Sequence, residues 1–192
     1  MNASGDARPS VRRGLWLALG VALSLVAAAC GGDDAGSAAG RPPGQRADGV
    51  DEAVGDLPSS EVEMADGTVV ALRDVLDGRP LVVNFFASWC APCRAEMPDF
   101  ATVHGDMDDR VGFLGLAMQD TEDAAAELVE LTGIGYPWGL DPSGEIFAEL
   151  GGFAMPTTVY VTAEGEIAGT DSGAISESQL RDRLADLFGV TA

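Results

Sequence analysis

The sequence has no lysine and only one histidine, His104, among its 192 residues. Its eleven positive side chains are all arginines, against 31 aspartates and glutamates, and the formal net charge is -20. A surface this acidic repels phosphate groups, which excludes nucleic acid as a partner and favours a positively charged protein partner or a simple solubilising coat. The absence of lysine also means that no lysine tunes the acidity of a nearby thiol.

Cysteine is scarce as well, because the chain has only Cys30, Cys90 and Cys93. A disulfide between Cys90 and Cys93 would close a loop of four residues, which constrains the unfolded chain very little, so structural stabilisation does not explain the pair. Zinc normally has four ligands, from two such pairs or from added histidines, and the sequence has neither. Reversible oxidation of the two thiols remains, and we predict that it needs no metal and no cofactor.

One long run of apolar or small residues, 14–29, follows Arg8, Arg12 and Arg13. The run is shorter than the roughly 20 residues of a membrane-spanning helix, and a charged segment followed by such a run is typical of an export signal. We therefore expect the rest of the chain to lie on the far side of the membrane. The Arg12-Arg13 pair leaves twin-arginine export open as a minor alternative.

The run ends in small residues directly before Cys30, which resembles the lipobox of bacterial lipoproteins. In that class the cysteine takes a diacylglyceryl group and becomes the mature N-terminus. Two alternatives remain: a plain signal peptide before an ordinary Cys30, or an uncleaved short anchor. We predict a lipoprotein signal peptide at 1–29, a Gly-, Ala-, Asp- and Pro-rich tether at 30–57, and a globular domain at 58–192.

The domain alternates strands and helices, which predicts an α/β fold with a mixed sheet covered by helices on both faces. In the helix after Asp120, we expect Asp120 to be the N-cap and Ala124, Leu128 and Leu131 to form the buried face. The predicted strands are 61–64, 69–72, 81–87, 111–118, 136–140, 157–161 and 167–170, and the helices follow Cys90, Asp120, Gly144 and Ser176.

The cysteine pair falls between a buried strand and a helix, so Cys90 is expected at the helix N-terminus. There the helix dipole and the free N–H groups favour a thiolate, the species that attacks disulfides. Pro92 suits an early helical position because it lacks an N–H. We predict Cys90 as the attacking thiol and Cys93, one turn deeper, as the resolving thiol.

Three segments carry a family resemblance: NFFASWCAPCRAEMP at 84–98, PWGLDPSG at 137–144 and GFAMPTT at 152–158. Together they resemble the TlpA/ResA group of membrane-anchored thioredoxin-like proteins, which includes the cytochrome c maturation reductases and is related to the AhpC/TSA-Redoxin domains. The resemblance implies a thioredoxin-like fold with an N-terminal β-hairpin and a central insertion.

The resemblance also implies roles for individual residues. Met155-Pro156 matches the cis-proline loop that faces the cysteines, where the backbone of Met155 would pair with an extended substrate; the alternative is an ordinary trans turn. Glu96 matches an active-site glutamate that exchanges a proton with a cysteine, or else it is a solvated helix residue. Trp89 is expected to cover the thiol and, with Pro92, Met155 and Pro156, to form the substrate-docking surface; core packing is its alternative.

One position departs from cytoplasmic thioredoxins, which have a buried aspartate where this sequence has Asn84. Asparagine cannot accept a proton in that way, and no lysine completes the usual aspartate–lysine network. Glu96 is therefore the best candidate for proton transfer at the cysteines.

The resemblance favours a lipid-anchored disulfide reductase on the extracytoplasmic face of the cell membrane. Its partners would be an oxidised exported protein, such as apocytochrome c, and a membrane electron-transfer thiol protein as donor. A disulfide-forming oxidase of the same fold is the main alternative. A peroxidase is disfavoured because no threonine stands at 85–89, before Cys90, and a copper carrier is disfavoured because its wider cysteine spacing and distal histidine are absent.

Overall fold

The computed structural model describes residues 55–191. The predicted signal peptide, Cys30 and nearly all of the predicted tether lie outside these residues. In the part that is described, no helix is both long enough and apolar enough to cross a bilayer. Asp56 forms an isolated β-bridge with Glu166, and Leu57 is buried, so contacts with the domain begin slightly before residue 58.

Strands and helices alternate along the described chain as the sequence predicts. The strands are β1 (Glu61–Met64), β2 (Val69–Ala71), β3 (Leu81–Phe86), β4 (Gly112–Met118), β5 (Trp138–Asp141), β6 (Thr157–Val161) and β7 (Ile167–Ser172). The helices are α1 (Ala91–Met107), α2 (Glu122–Thr132), α3 (Glu145–Glu149) and α4 (Glu177–Phe188), with a 3-10 turn at Leu72–Val75.

The strands form one mixed sheet in the order β2-β1-β5-β4-β3-β6-β7. Strands β3, β4 and β5 run parallel, whereas β6 is antiparallel to β3 and β7 is antiparallel to β6. The β1–β2 hairpin extends the sheet beside β5, and β5 itself is an added strand between α2 and α3. This is the predicted thioredoxin-like α/β fold.

The buried side chains of β3 alternate between two apolar cores. Val82 and Phe86 join the core formed with α1, α2 and α4, whereas Val83 and Phe85 join the core formed with α3 and the 3-10 turn. Helices therefore cover both faces of the sheet. Because successive strand residues point to opposite faces, Asn84 shares the α1 face with Val82 and Phe86.

Local capping residues define the C-terminus of α2 and the N-terminus of α4. Gly133, in the left-handed conformation with φ 73°, ends α2, and Ser176 forms the predicted capping box with Gln179 at the start of α4. The prediction that Asp120 caps α2 was wrong. Thr121 is the N-cap and its side chain accepts from the N–H of Ala124, because the Asp120 carboxylate is bound to the loop after β3.

The predicted buried face of α2 was wrong by one residue. Helix α2 buries Ala125 and Leu128 and half-buries Val129, so the core stripe begins at 125 rather than at Ala124. This rotation turns Leu131 outward, and 68% of its surface is exposed.

Candidate active site

The redox pair lies where the chain leaves β3 and enters α1. Cys90 is the N-cap residue of α1, Pro92 is in the first turn, and Cys90 and Cys93 form a disulfide with their Cα atoms 5.3 Å apart. The chain turns sharply before the helix, because the N–H of Cys90 donates to the carbonyl of Ala87 at 3.0 Å. The predicted helix-start position of Cys90 is confirmed.

The two sulfurs have different surroundings. Cys90 is 4% exposed and Cys93 is fully buried, while the backbone N–H of Cys93 donates to Sγ of Cys90 at 3.2 Å. A backbone donor at a helix N-terminus stabilises negative charge on the sulfur that it contacts. The arrangement therefore favours a thiolate on Cys90, the sulfur that is also closer to solvent.

Trp89 is exposed rather than part of the core, with 57% of its surface accessible. Its indole Nε1–H donates to the carbonyl of Gln119 at 3.2 Å, and Gln119 has a positive φ of 48°, rare for a residue other than glycine. The ring is thus held next to Cys90 by the loop that follows β4. Core packing is excluded for Trp89.

Asp120 is a residue of this site that the sequence reasoning missed. Its carboxylate accepts hydrogen bonds from the N–H of Ser88 at 2.5 Å, the hydroxyl of Ser88 at 2.9 Å and the N–H of Thr121 at 2.9 Å. It therefore fixes the loop that leads to Cys90. The sequence gives no signal for this role, because only the parallel pairing of β3 with β4 brings the ends of these two strands together at one edge of the sheet.

Glu96 is nearly fully buried, with 3% of its surface exposed. Oε1 accepts from Nδ2 of Asn84 and Oε2 accepts from the backbone N–H of Ile175, both at 3.0 Å. Burial raises the pKa of Glu96 to about 7; the two hydrogen bonds oppose this rise, whereas the charge of Asp99 adds to it. A solvated helix-face glutamate is therefore excluded, and the carboxyl group is poised to change protonation near neutral pH.

Three further polar atoms are buried in this region without a hydrogen-bond partner in the described chain: Oδ1 of Asn84, the hydroxyl of Thr158, which lies opposite Asn84 on β6, and the hydroxyl of Tyr136. Gly115 lies opposite Asn84 on β4, and a Cβ there would stand 3.3 Å from the Tyr136 ring, so the ring packs on this bare backbone. Burial, and to a lesser degree the charge of Glu96, raise the pKa of Tyr136. Asn84, Glu96 and Tyr136 thus form a polar pocket within the core that contains the cysteines.

The Met155-Pro156 bond is cis, as predicted. Thr157 pairs with Phe85, so Pro156 lies at the edge of the sheet where β3 ends and the cysteine loop begins. Met155 packs against the apolar core that includes both cysteines. Phe153 on the same loop is 69% exposed, and the sequence reasoning assigned it no role.

A family model described as Redoxin matches residues 53–185, more than half of the chain. The chain belongs to the Redoxin family. The Redoxin match covers every element from β1 to β7 and most of α4. The TlpA/ResA-like resemblance read from the three sequence segments is confirmed by the similar proteins.

Among curated proteins, this Redoxin-family chain is 29% identical to "Thiol-disulfide oxidoreductase ResA" of Oceanobacillus iheyensis over 142 residues, which covers 72% of each protein. It is 32% identical to "Thiol:disulfide interchange protein HelX" of Rhodobacter capsulatus over 120 residues, which covers 62% of this chain and 66% of HelX.

Solved structures give the same relationship. A DsbF homologue from Corynebacterium diphtheriae has a TM-score of 0.63 and 27% identity, covering 70% of this chain and 87% of the homologue. A secreted Mycobacterium tuberculosis disulfide oxidoreductase homologous to E. coli DsbE has a TM-score of 0.60 and 25% identity, covering 67% of this chain and 96% of that protein. With its Cys90–Cys93 pair in this fold, the Redoxin-family protein is a thiol–disulfide oxidoreductase.

Proposed function

We propose that the protein is an extracytoplasmic disulfide reductase that acts on exported proteins, with Cys90 as the attacking thiol. The N–H of Cys93 directed at Sγ of Cys90, together with the complete burial of Cys93, is the observation that carries this proposal. The likeness to ResA and HelX supports thiol–disulfide exchange, and the TlpA/ResA resemblance of the three sequence segments favours the reductase direction.

The reaction begins with the reduced pair. The Cys90 thiolate attacks one sulfur of the partner's disulfide; an S–S bond forms to Cys90, and the second partner sulfur leaves as a thiolate that takes up a proton. The Cys93 thiol then loses its proton and attacks Sγ of Cys90, which releases the first partner sulfur and restores the Cys90–Cys93 disulfide. Two electrons pass to the partner, and a membrane dithiol protein must return two electrons to this protein.

Glu96 accepts the proton that Cys93 loses in the second step. Cys93 and Glu96 are three residues apart on α1 and both are buried, so their side chains lie on the same side of the helix. A carboxyl group with a pKa near 7 can accept and release a proton at ordinary pH. Asn84 holds the carboxylate in place through its amide.

The partner docks on the surface around the disulfide formed by Trp89, Pro92 and Met155. Pro156, predicted as part of this surface, is buried and instead fixes the backbone of Met155 through the cis bond. Trp89 and Pro92 are exposed on the side of the cysteines, and Met155-Pro156 reaches the same sheet edge from β6. The exposed Phe153 enlarges the apolar part of this surface. An extended partner segment would pair with the backbone of Met155.

The proposed location is the extracytoplasmic face of the cell membrane, with a diacylglyceryl group on Cys30 and the segment between Cys30 and Asp56 as a tether. The basic and apolar N-terminal segment supports export. Replacing Cys30 by serine should release the protein from membranes into the soluble extracytoplasmic fraction. Full membrane retention of Cys30→Ser would instead favour an uncleaved anchor.

The trapping of a mixed disulfide tests the proposed chemistry. In Cys93→Ala the second step cannot occur, so Cys90 should remain covalently bound to its partner, and mass spectrometry of the complex would identify that partner. Cys90→Ala is the matched control and should trap far less. Equal trapping by the two variants would overturn the assignment of the attacking thiol.

The reduction potential separates reductase from oxidase. Equilibration with glutathione should give a value near that of thioredoxin, about -270 mV, rather than near that of the strong oxidant DsbA, about -120 mV. A potential close to the DsbA value would favour the disulfide-forming oxidase.

A further inference from the structure

A groove lies between α2 and residues that flank the cysteine pair in the sequence. One wall is the start of α1 with the preceding loop, and the other is one face of α2; the lining residues are Ser88, Arg94, Ala124, Glu127, Leu128 and Leu131. Ser88 stands two residues before Cys90, and Arg94 directly follows Cys93. A chain segment in this α2 groove would therefore lie next to the reacting sulfurs.

The α2 wall consists of the apolar residues Ala124, Leu128 and Leu131 together with Glu127. Its four lining residues have the spacing i, i+3, i+4 and i+7 of a single helix face. Leu128 is buried and forms the floor, whereas Leu131 is 68% exposed. Leu131 therefore presents an exposed apolar side chain at the edge of the groove, where an apolar residue of a partner can contact it.

An acidic row borders this face of α2. Asp123, Glu127 and Glu130 have the spacing i, i+4 and i+7, all three are exposed, and none forms an ion pair or side-chain hydrogen bond within residues 55–191. Glu127 also lines the groove itself. The helix carries no basic residue between Glu122 and Thr132.

Helix stability does not explain the row. Like charges four residues apart repel, and Glu130 lies in the last turn, where the helix dipole disfavours an acidic side chain. Acidic residues at 127 and 130 therefore weaken α2, unlike Glu122 and Asp123, which stand in the favourable first turn. A positively charged partner would relieve the repulsion between these side chains and form ion pairs with them.

We infer that the α2 groove binds a basic segment of the oxidised partner, next to the partner's disulfide, and this inference rests on the proposed reductase function. An apolar partner residue contacts Leu131, and arginine or lysine side chains reach the acidic row. Arg94 forms no ion pair in the described chain, and on the α1 wall it repels basic groups and orients them toward α2. The preference is consistent with the formal net charge of -20.

Two disulfide-bonded peptides test this inference. They are identical except that three lysines in one replace three glutamates in the other, and each carries a leucine beside its disulfide. The rate of their reduction by the reduced protein is followed by tryptophan fluorescence. We expect the basic peptide to react about tenfold faster at low ionic strength, and the ratio to shrink in high salt.

The variant E127Q/E130Q removes two charges of the acidic row with little change in shape and should lower the rate ratio at least about threefold. The control D182N/D186N removes two exposed charges of α4 and should leave the ratio unchanged. Leu131→Ser should slow reduction of the leucine peptides, but not of peptides with serine in place of that leucine.

Three results would overturn the inference: no charge preference in the wild-type protein, equal ratios in E127Q/E130Q and D182N/D186N, or concentration-dependent dimerisation that Leu131→Ser abolishes, which would make a second copy the occupant. Reduction of bis(2-hydroxyethyl) disulfide by the wild-type protein distinguishes a failure of the groove assignment from a failure of the proposed reductase function. If this small disulfide is reduced while the peptides show no preference, only the groove assignment fails; if neither the small disulfide nor a peptide is reduced, the proposed function fails with it.

Discussion

The side-chain amide of Asn84 donates a 3.0 Å hydrogen bond to the carboxylate of Glu96, and both residues are buried. The donor favours the ionised carboxylate, while burial favours the protonated form and dominates, raising the pKa of Glu96 to about 7. An amide at position 84 can meet either state of Glu96, because a half-turn of the amide presents its oxygen to a protonated carboxyl.

Replacing Asn84 by aspartate should give a protein whose stability falls steeply as pH rises. Two carboxylates in contact inside the core cannot both ionise without a large penalty. Relative to the wild-type protein, Asn84→Asp should have a lower free energy of unfolding. We expect this deficit to be about 3 kcal/mol larger at pH 8 than at pH 5. Urea unfolding of the oxidised protein at the two pH values measures this difference.

Asn84→Ala is the control, because it removes the same hydrogen bond without adding a charge. Its loss should be about 1–3 kcal/mol and should grow with pH much less than that of Asn84→Asp, because the lost hydrogen bond favours ionised Glu96 but no second carboxylate is added. Matching pH dependence in Asn84→Asp and Asn84→Ala would show that the two carboxyl groups do not interact.

The raised pKa of Glu96 has its own effect on stability. The pKa is about 7 in the folded state and near the ordinary 4.5 in the unfolded state, so between these values the folded protein binds the extra proton. The free energy of unfolding must therefore fall as pH rises from about 4.5 through about 7, by up to about 3 kcal/mol for this group.

Glu96→Gln removes this titration. A half-turn of the Asn84 amide lets its oxygen accept from the new amide N–H, while the N–H of Ile175 still donates to the amide oxygen. The difference between the wild-type and Glu96→Gln stability curves isolates the group, because the other carboxyl groups cancel. A difference that does not change between pH 4 and pH 8 would contradict the raised pKa. The pH profile of the rate of disulfide reduction should also lose its step near pH 7 in this variant.

Asp120 should prove necessary for the geometry of the Cys90 loop. Asp120→Ala leaves the N–H and the hydroxyl of Ser88 without their acceptor, and we expect a loss of about 2–3 kcal/mol of unfolding free energy. The reaction of reduced Cys90 with a small aromatic disulfide should slow as well, because the loop no longer holds the sulfur in one position. Asp182→Ala, at an exposed site on α4, is the control, and an equal loss in both variants would contradict this role.

Gly115 should tolerate no side chain. A Cβ there would lie 2.9 Å from Phe86 Cε1 and 3.2 Å from Cβ of Trp138, so Gly115→Ala should cost about 1–3 kcal/mol by overpacking. Gly105 in α1 has no atom within 4 Å of such a Cβ, and Gly105→Ala should stabilise the protein by about 1 kcal/mol. Thermal melts of the two variants should therefore shift in opposite directions.

The local features of the fold were predictable because each is specified by neighbours along the chain. The apolar run of β3, the glycine that ends α2 and the capping box at Ser176 depend on residues a few positions apart, and the structure confirms them. The redox role of Cys90 and Cys93 follows in the same way, from the two-residue spacing and from the shortage of other cysteines and of histidines.

The relationships across the sheet were not accessible in this way. Aspartate is a common helix N-cap residue, so the sequence predicts that role for Asp120. Only the parallel pairing of β3 with β4 shows that the Asp120 carboxylate instead accepts a hydrogen bond from Ser88. Leu131 fits a buried helical stripe, and only the rotation of α2 on its core exposes it.

The sequence by itself determined the order of elements and the redox pair, because these depend on short-range spacing and residue type. The tertiary structure decided the states of the groups around that pair. It buried Glu96 against Asn84, and this burial raises the pKa of the Glu96 carboxyl group to about 7 against the opposing effect of the hydrogen bonds. Contacts between residues distant in the chain set solvation, and solvation sets the charge that each group carries.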